Sequence, residues 1–138
     1  MDEGIEYRDT PDLPTEAVLA LYRALDWAAA QKPRALCRAL AASHTVVSAW
    51  DGRELVGLGN TLSDGHLVVY YAHLLVLPSH QGRGIGRGIV RRLKARYPDF
   101  HQHVVVADGD AVGFYRKCGF ETAGSTRALW IYAGDDHD

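Results

Sequence analysis

Cysteine is scarce in this chain. Only Cys37 and Cys118 occur in 138 residues, far apart and without the paired spacing of a zinc site. Neither a disulfide framework nor a cysteine metal centre is expected, and reduced thiols in a cytoplasmic protein are. Long apolar runs are also missing. The longest is broken by His73 and Pro78 and falls short of the ~18 residues of a membrane span. Neither sign of charge dominates: 15 Lys and Arg stand against 17 Asp and Glu, which argues against a general nucleic-acid binder. The opening MDEGIEYRD is acidic and has no apolar core, so it does not read as a secretory signal. His101 and His103 share one side of a strand but have no further ligands at metal spacing, so no metal site is expected. There is no repeat and no low-complexity tract.

What remains is an ordinary globular composition, 47% hydrophobic and 23% charged, consistent with one domain over residues 1–133 and a frayed tail at 134–138. The first strand is expected at Ile5–Arg8. Val18, Leu21, Tyr22 and Leu25 fall at helical spacing within 14–25, and Pro33 opens a second helix to about Ala42. Strands follow at 45–50 and 54–61, joined by the Asp51-Gly52 turn, and a long apolar strand at 67–77. Ile85, Ile89, Leu93 and Tyr97 recur every four residues and mark the buried stripe of a third helix. Arg91, Arg92, Lys94 and Arg96 fall largely outside that stripe and read as a solvated face. A buried strand at 104–107, a short helix at 110–118 ended by Gly119, and a last strand at 128–132 complete the order β-α-α-β-β-β-α-β-α-β. The expected class is α/β with a mixed sheet and helices on both faces.

The most informative stretch is Leu74 to Gly88, LLVLPSHQGRGIGRG. A strand ends at Pro78, and glycines then lead into a helix. Glycines at that junction leave backbone N–H groups bare to face an anion, and the helix N-terminus adds about half a positive charge. This is a seat for phosphate, with Arg83 and Arg87 adding charge beside it. The dinucleotide pattern G-x-G-x-x-G fails in both registers, because Ile89 or Arg87 stands at its last position. The P-loop fails because no Gly-Lys-Ser/Thr follows. What fits is Gln81-x-x-Gly84-x-Gly86 after Val76-Leu77-Pro78. This resembles the pyrophosphate loop of the GNAT superfamily, the acyl-CoA-dependent N-acetyltransferases. A second segment, from Asp108 through Ala111, Phe114 and Tyr115 to Gly119-Phe120, is similar to the superfamily's N-x-x-A-x-x-[FL]-Y-x-x-x-G-F signature. It departs from it only in having Asp108 where asparagine is usual. The resemblance covers roughly residues 44 to 132.

The resemblance implies the GNAT fold, with acetyl-CoA as cosubstrate and no metal. It implies that Leu74, Leu75 and Val76 pair with the acyl-pantetheine arm, and that Gln81, Gly82, Arg83, Gly84, Ile85, Gly86 and Arg87 seat the pyrophosphate, with Asp108 and Phe114 nearby. Tyr115 aligns with a tyrosine that family members use near the cofactor sulfur; its phenol could protonate the departing thiolate. His73 is the candidate base, directly or through water, because imidazole titrates near neutrality. A packed core histidine is the alternative. The acceptor pocket is read by region only: Asp26 and Trp27 at the end of the first helix, Tyr70 and Tyr71 on the central strand, then Trp50, Asn60 and Trp130. The expected activity is acetyl transfer to a primary amine, with a small amine or amino sugar preferred. The alternatives are a protein N-terminus or lysine as acceptor, and a non-catalytic acyl-CoA-binding module. No nucleic acid or membrane partner is expected, and a homodimer is compatible with the sequence.

Overall fold

The computed structural model describes residues 4–136. In chain order it contains β1 (Ile5–Arg8), α1 (Thr15–Ala24), α2 (Pro33–Ala42), β2 (Thr45–Asp51), β3 (Glu54–Ser63), β4 (Val68–Val76), α3 (Ile85–Lys94), β5 (Gln102–Val105) and α4 (Ala111–Lys117). Short 3₁₀ turns lie at Ala28–Gln31 and Pro78–His80. The sheet runs β1-β2-β3-β4-β5. Its first three pairs are antiparallel and β4–β5 is parallel. The expected class and the expected order hold through α4.

Apolar spacing decides which helix covers which face. Val18, Leu21 and Tyr22 of α1, with Leu36 and Leu40 of α2, bury against Val46, Leu58 and Leu75. Ile85, Ile89 and Leu93 of α3 bury against Val47, Val56, Val69 and Tyr71 on the opposite face. Tyr97 extends that stripe in space, although α3 ends at Lys94. Its buried hydroxyl is within hydrogen-bond distance of Thr45 Oγ1, Thr61 Oγ1 and His44 Nδ1. This satisfies a group that would be costly to bury alone.

Two glycines set how closely α3 lies on the sheet. A Cβ on Gly59 of β3 would stand 2.7 Å from Ile89 Cγ2, and one on Gly57 would stand 3.0 Å from Ile89 Cδ1. The helix therefore rests on bare backbone, which fixes where its N-terminus and the preceding loop fall.

The strand expected at 128–132 is not formed. None of these residues belongs to a described strand, and Leu129 and Ile131 stand in solvent. Apolar, β-prone residues are a sufficient signal for an extended segment, but a strand also needs a neighbour for its backbone groups. Part of the tail falls within the described residues, where Asp136 accepts hydrogen bonds from the Ala28 N–H (3.0 Å) and the Tyr132 hydroxyl (2.7 Å). Residues 137 and 138 lie outside them.

Replacing Gly59 by valine should destabilise the fold by about 1–3 kcal/mol through overpacking against Ile89 and Leu93. Urea unfolding followed by circular dichroism measures this. An unchanged midpoint would show that α3 does not bear on β3 at this point.

Candidate active site

The phosphate loop begins where β4 stops. Pro78 cannot continue a ladder, and the chain turns through Pro78–His80 into two glycines with left-handed backbone, Gly82 (φ 79°) and Gly84 (φ 83°). Side chains other than glycine are strained there. Gly84 caps α3 without a side-chain hydrogen bond, so the first N–H groups of a ten-residue helix open toward the loop. Two clips hold the loop in place. Gln81 donates from Nε2 to the Val76 carbonyl at 3.0 Å. His80 is buried, with Nε2 2.9 Å from the Asp51 carboxylate and Nδ1 2.7 Å from the Ser79 hydroxyl. Arg83 is half-buried and Arg87 exposed. Beside the loop, α3 and α4 enclose a cleft of about 220 Å³ lined by Arg87, Arg91, Lys94, Lys117, Val90 and Cys118. Arg91 and Lys94 thus contribute to a cationic cleft as well as to the solvated face expected of them.

Next to the loop, β4 parts from β5. Pairing with β5 ends at Tyr71↔Val105, whereas pairing with β3 continues to Gly57↔Val76. Leu77 donates its N–H to Val56 O on β3 at 2.8 Å. Antiparallel alternation then turns Leu75 toward β3 and Leu74 and Val76 toward the gap. The gap therefore has a strand edge with polar groups facing into it. Phe114 of α4 closes on the loop end of this gap, its ring 3.3 Å from where a Cβ on Gly86 would lie.

A bulge turns the middle of β4. The register runs Asn60↔His73 and then Thr61↔Tyr71, so Ala72 is an extra residue. Without it, Tyr71, His73 and Leu75 would share a face. With it, Tyr71 packs in the α3 core, while Leu75 packs in the α1–α2 core and His73 against Tyr22 and Trp27. Asn60 supports the bulge: its Oδ1 accepts the His73 N–H at 2.9 Å, and its Nδ2 donates to Ser43 Oγ at 2.9 Å.

His73 is largely buried. Trp27 meets its ring edge-on at 5.1 Å, and Tyr22 Oη lies 2.8 Å from Nδ1. Burial lowers its pKa, so the ring is neutral at pH 7. Burial also raises the pKa of Tyr22, so that phenol keeps its proton. When the protonated phenol donates to Nδ1, the imidazole proton is on Nε2. Tyr22 is the site residue that sequence reasoning missed. Its position in the apolar stripe of α1 reads as core, and nothing local marks its hydroxyl.

The remaining candidates separate. Tyr115 of α4 packs edge-on between Phe114 and Phe120, and burial pushes its phenol up to about 12. Tyr70 lies close enough to contribute to that rise. Tyr71 is buried on the α3 face, its hydroxyl 2.8 Å from His103 Nδ1, away from His73. Trp50 is core, donating to Ser48 Oγ. Asp26 is exposed at a left-handed turn (φ 55°) just before Trp27. Asp108 is exposed, its carbonyl accepting the Ala111 N–H at the start of α4. Trp130 stacks on Tyr132 in the segment after α4. Among the described residues no cluster of three or more His, Cys, Asp or Glu is placed to hold a metal ion, and no helix is long and apolar enough to cross a membrane.

A glycine turn into a helix N-terminus after a strand that parts from its neighbour is an arrangement suited to an acyl-CoA transferase. Residues 10–129 match the family described as the acetyltransferase (GNAT) domain, and the chain belongs to that family. It is 34% identical over 110 residues to the N-alpha-acetyltransferase RimI of Mycobacterium tuberculosis H37Rv, covering 75% of this chain and 70% of that protein. Among solved structures it superposes on a GNAT family acetyltransferase from Streptococcus pneumoniae TIGR4, with TM-score 0.81, 32% identity, and coverage of 94% of this chain and 99% of that one. An aminoglycoside acetyltransferase from an uncultured soil sample, in complex with sisomicin, shares the fold at TM-score 0.69 and 17% identity, covering 97% and 99% of the two chains. The chain is an acetyl-CoA-dependent N-acetyltransferase, which sets aside the non-catalytic binding module.

His73 carries a prediction about pH. Its folded pKa lies below the unfolded value of about 6.5. The unfolded chain therefore binds the proton first as pH falls, and stability is lost as pH drops from about 6.5 toward the folded pKa. Denaturant unfolding of wild type and His73→Gln across this range should show a shallower loss in the variant. Parallel curves would show that His73 does not titrate as a buried neutral group.

Proposed function

We propose that this enzyme acetylates a primary amine by direct attack on acetyl-CoA, and that the preferred acceptor is the α-amine of a protein or peptide N-terminus. The observation that carries the acceptor is the state of the one candidate base. His73 is neutral, with a lowered pKa and Nδ1 engaged by Tyr22, so it is poorly suited to stripping a proton from a lysine-like amine near pKa 10.4. An α-amine, at about 7.7–8.0, is already partly neutral at physiological pH. The 34% identity to an N-alpha-acetyltransferase supports the same acceptor.

In this reading Gly82–Arg87 and the first turn of α3 seat the pyrophosphate, the cationic cleft beside them adds positive charge, and Leu74–Val76 align the pantetheine arm like an added strand. The amine lone pair forms the C–N bond at the thioester carbon. The carbonyl oxygen takes up negative charge opposite an outward N–H of Leu74 or Val76, a contact worth about 10²-fold or more. The C–S bond then breaks, and Tyr115, protonated because its pKa is raised to about 12, gives its proton to the departing sulfur. The proton lost by nitrogen passes through water to bulk solvent or to His73 Nε2. For His73 to take it, the ring must adopt the other tautomer, with Nδ1–H donating to Tyr22. Trp27 and Tyr70 line the acceptor side, and Asp26 sits at its rim. Asp108 and Phe114 stand beside the cofactor. The reaction takes place in the cytoplasm and uses no metal.

A small amine or amino sugar is the second reading, favoured by the compact chain and by the fold shared with an aminoglycoside acetyltransferase. A panel of peptides, amino sugars, polyamines and lysine derivatives, followed by release of free thiol, decides between them. Peptides with free α-amines are expected to turn over fastest, and blocking their N-terminus should abolish it. Faster turnover of an amino sugar would replace the first reading by the second. Tyr115→Phe should slow transfer by about 10²-fold with CoA affinity intact, and a wild-type rate would remove Tyr115 from the mechanism. Gly84→Glu, a like charge and a strained backbone in the phosphate seat, should abolish CoA binding by calorimetry. Unchanged binding would place the pyrophosphate elsewhere.

A further inference from the structure

Three cations around the start of α2 have no part in the chemistry above. Lys32 precedes the helix, and Arg34 and Arg38 stand one turn apart on its exposed face. With Pro33, Ala35 and Ala39 they line an open depression of about 710 Å³. None of the three side chains has a hydrogen-bond or ion-pair partner among the described residues, and the first turn of α2 has no acidic residue to balance them. The strip adjoins the aromatic wall around His73. Trp27, edge-on to that ring, is joined to Lys32 by the single turn Ala28–Gln31. This turn already holds a carboxylate: Asp136 Oδ2 accepts the Ala28 N–H at 3.0 Å, although Asp136 is itself exposed. Asp26 immediately precedes Trp27 and is exposed. In chain order, then, Trp27 stands between one carboxylate and three cations.

We propose that Lys32, Arg34 and Arg38 select the acceptor, and that this enzyme prefers N-termini followed by an acidic residue at positions two to four. The proposal rests on the reading of the acceptor as an α-amine. Reach and charge both suit it. An extended peptide advances about 3.3 Å per residue, and a 3₁₀ turn about 2 Å per residue. With the amine at Trp27 and His73, the next two or three side chains therefore pass along the Ala28–Gln31 turn and the start of α2. An arriving ammonium faces Asp26, and a carboxylate behind it faces the cations. A basic peptide laid in the same direction meets like charge, so the strip rejects as well as attracts. Arginine adds geometry to charge, because its planar fork matches a carboxylate bidentately. In the free chain Asp136 occupies part of this path, a carboxylate standing where the acceptor's would. Its hydrogen bond is exposed and exchanges readily for another partner.

Matched peptides with free α-amines test this on the full chain, with release of free thiol as the readout. They differ only at residues two to four, which are Asp and Glu in one, Asn and Gln in the second, and Lys in the third. The acidic peptide is expected to exceed the amide peptide about tenfold in kcat/KM. The gain should lie in KM, because contacts remote from the thioester are made equally in the ground and transition states. It should shrink between about 50 and 500 mM salt, since exposed charges are screened. Arg34→Glu/Arg38→Glu should invert the order of the acidic and lysine peptides, with circular dichroism as the check on folding. The milder Arg34→Gln/Arg38→Gln should bring the acidic and amide peptides to parity. Asp136→Ala should lower KM for the acidic peptide by about twofold by clearing its path. Equal kcat/KM for acidic and amide peptides overturns the inference and leaves the α-amine acceptor standing. So does an acidic preference that both arginine variants retain. Transfer to an amino sugar with no turnover of any peptide overturns the acceptor reading, and this inference falls with it.

Discussion

The site depends on β4 serving two neighbours unequally. It pairs with β3 from Val69 to Val76, interrupted only at Ala72, but with β5 only from Val68 to Tyr71. The single extra residue at Ala72 falls just after that shared stretch. From there on, side chains that would have faced α3 face α1 and α2 instead, and backbone groups that would have been consumed by β5 face an open gap. A bulge costs ladder hydrogen bonds and is kept where something replaces them. Here the Asn60 carboxamide takes up the His73 N–H and is itself held by Ser43. One short polar side chain therefore joins the end of α2, the inner strand and the residue in the acceptor-side aromatic cluster.

The second constraint is the contact between α3 and the sheet. Because Gly57 and Gly59 present no side chains, Ile85, Ile89 and Leu93 approach the backbone of β3 directly. The helix is set deep, its N-terminus is brought level with the end of β4, and the loop between them is short. Its glycines are then forced into left-handed conformations that only glycine adopts without strain. The conformation of the glycine loop thus grows out of core packing. The His80–Asp51 and Gln81–Val76 contacts hold the loop that packing has positioned.

The two sides of the cleft differ in electrostatic character, and the difference suits transfer between a polyanionic donor and an amine. The donor side carries helix N–H groups and four cations around the α3–α4 cleft. The acceptor side is aromatic, with Tyr22, Trp27 and a neutral imidazole packed edge to edge. In the proposed reading, a wall of this kind would favour a neutral amine over an ammonium through desolvation. Tyr115, packed between Phe114 and Phe120, is buried enough to keep its proton.

The local patterns were legible in the chain itself. Period-four aliphatics marked α3, the Asp51-Gly52 turn marked the β2–β3 hairpin, and Gln81-x-x-Gly84-x-Gly86 after Pro78 marked the glycine turn into α3. Each is a short-range consequence of backbone geometry, and the order of elements followed from them. The resemblance to acetyltransferases rested on the same local residues. Contacts between residues distant in sequence were not legible. Nothing in Ala72-His73 announces a bulge, because its cause is an asparagine on another strand. Tyr22 reads as core, because the partner of its hydroxyl lies 51 residues away. Ala128–Tyr132 has the composition of a strand, yet composition supplies side chains and not a neighbouring edge. The sequence by itself determined the elements through α4, the glycine turn into α3 and the class of chemistry, since these depend on residues adjacent along the chain. The tertiary structure alone decided which face His73 occupies, which hydroxyl meets its ring, and which strand edge is left open, since these depend on which distant groups meet.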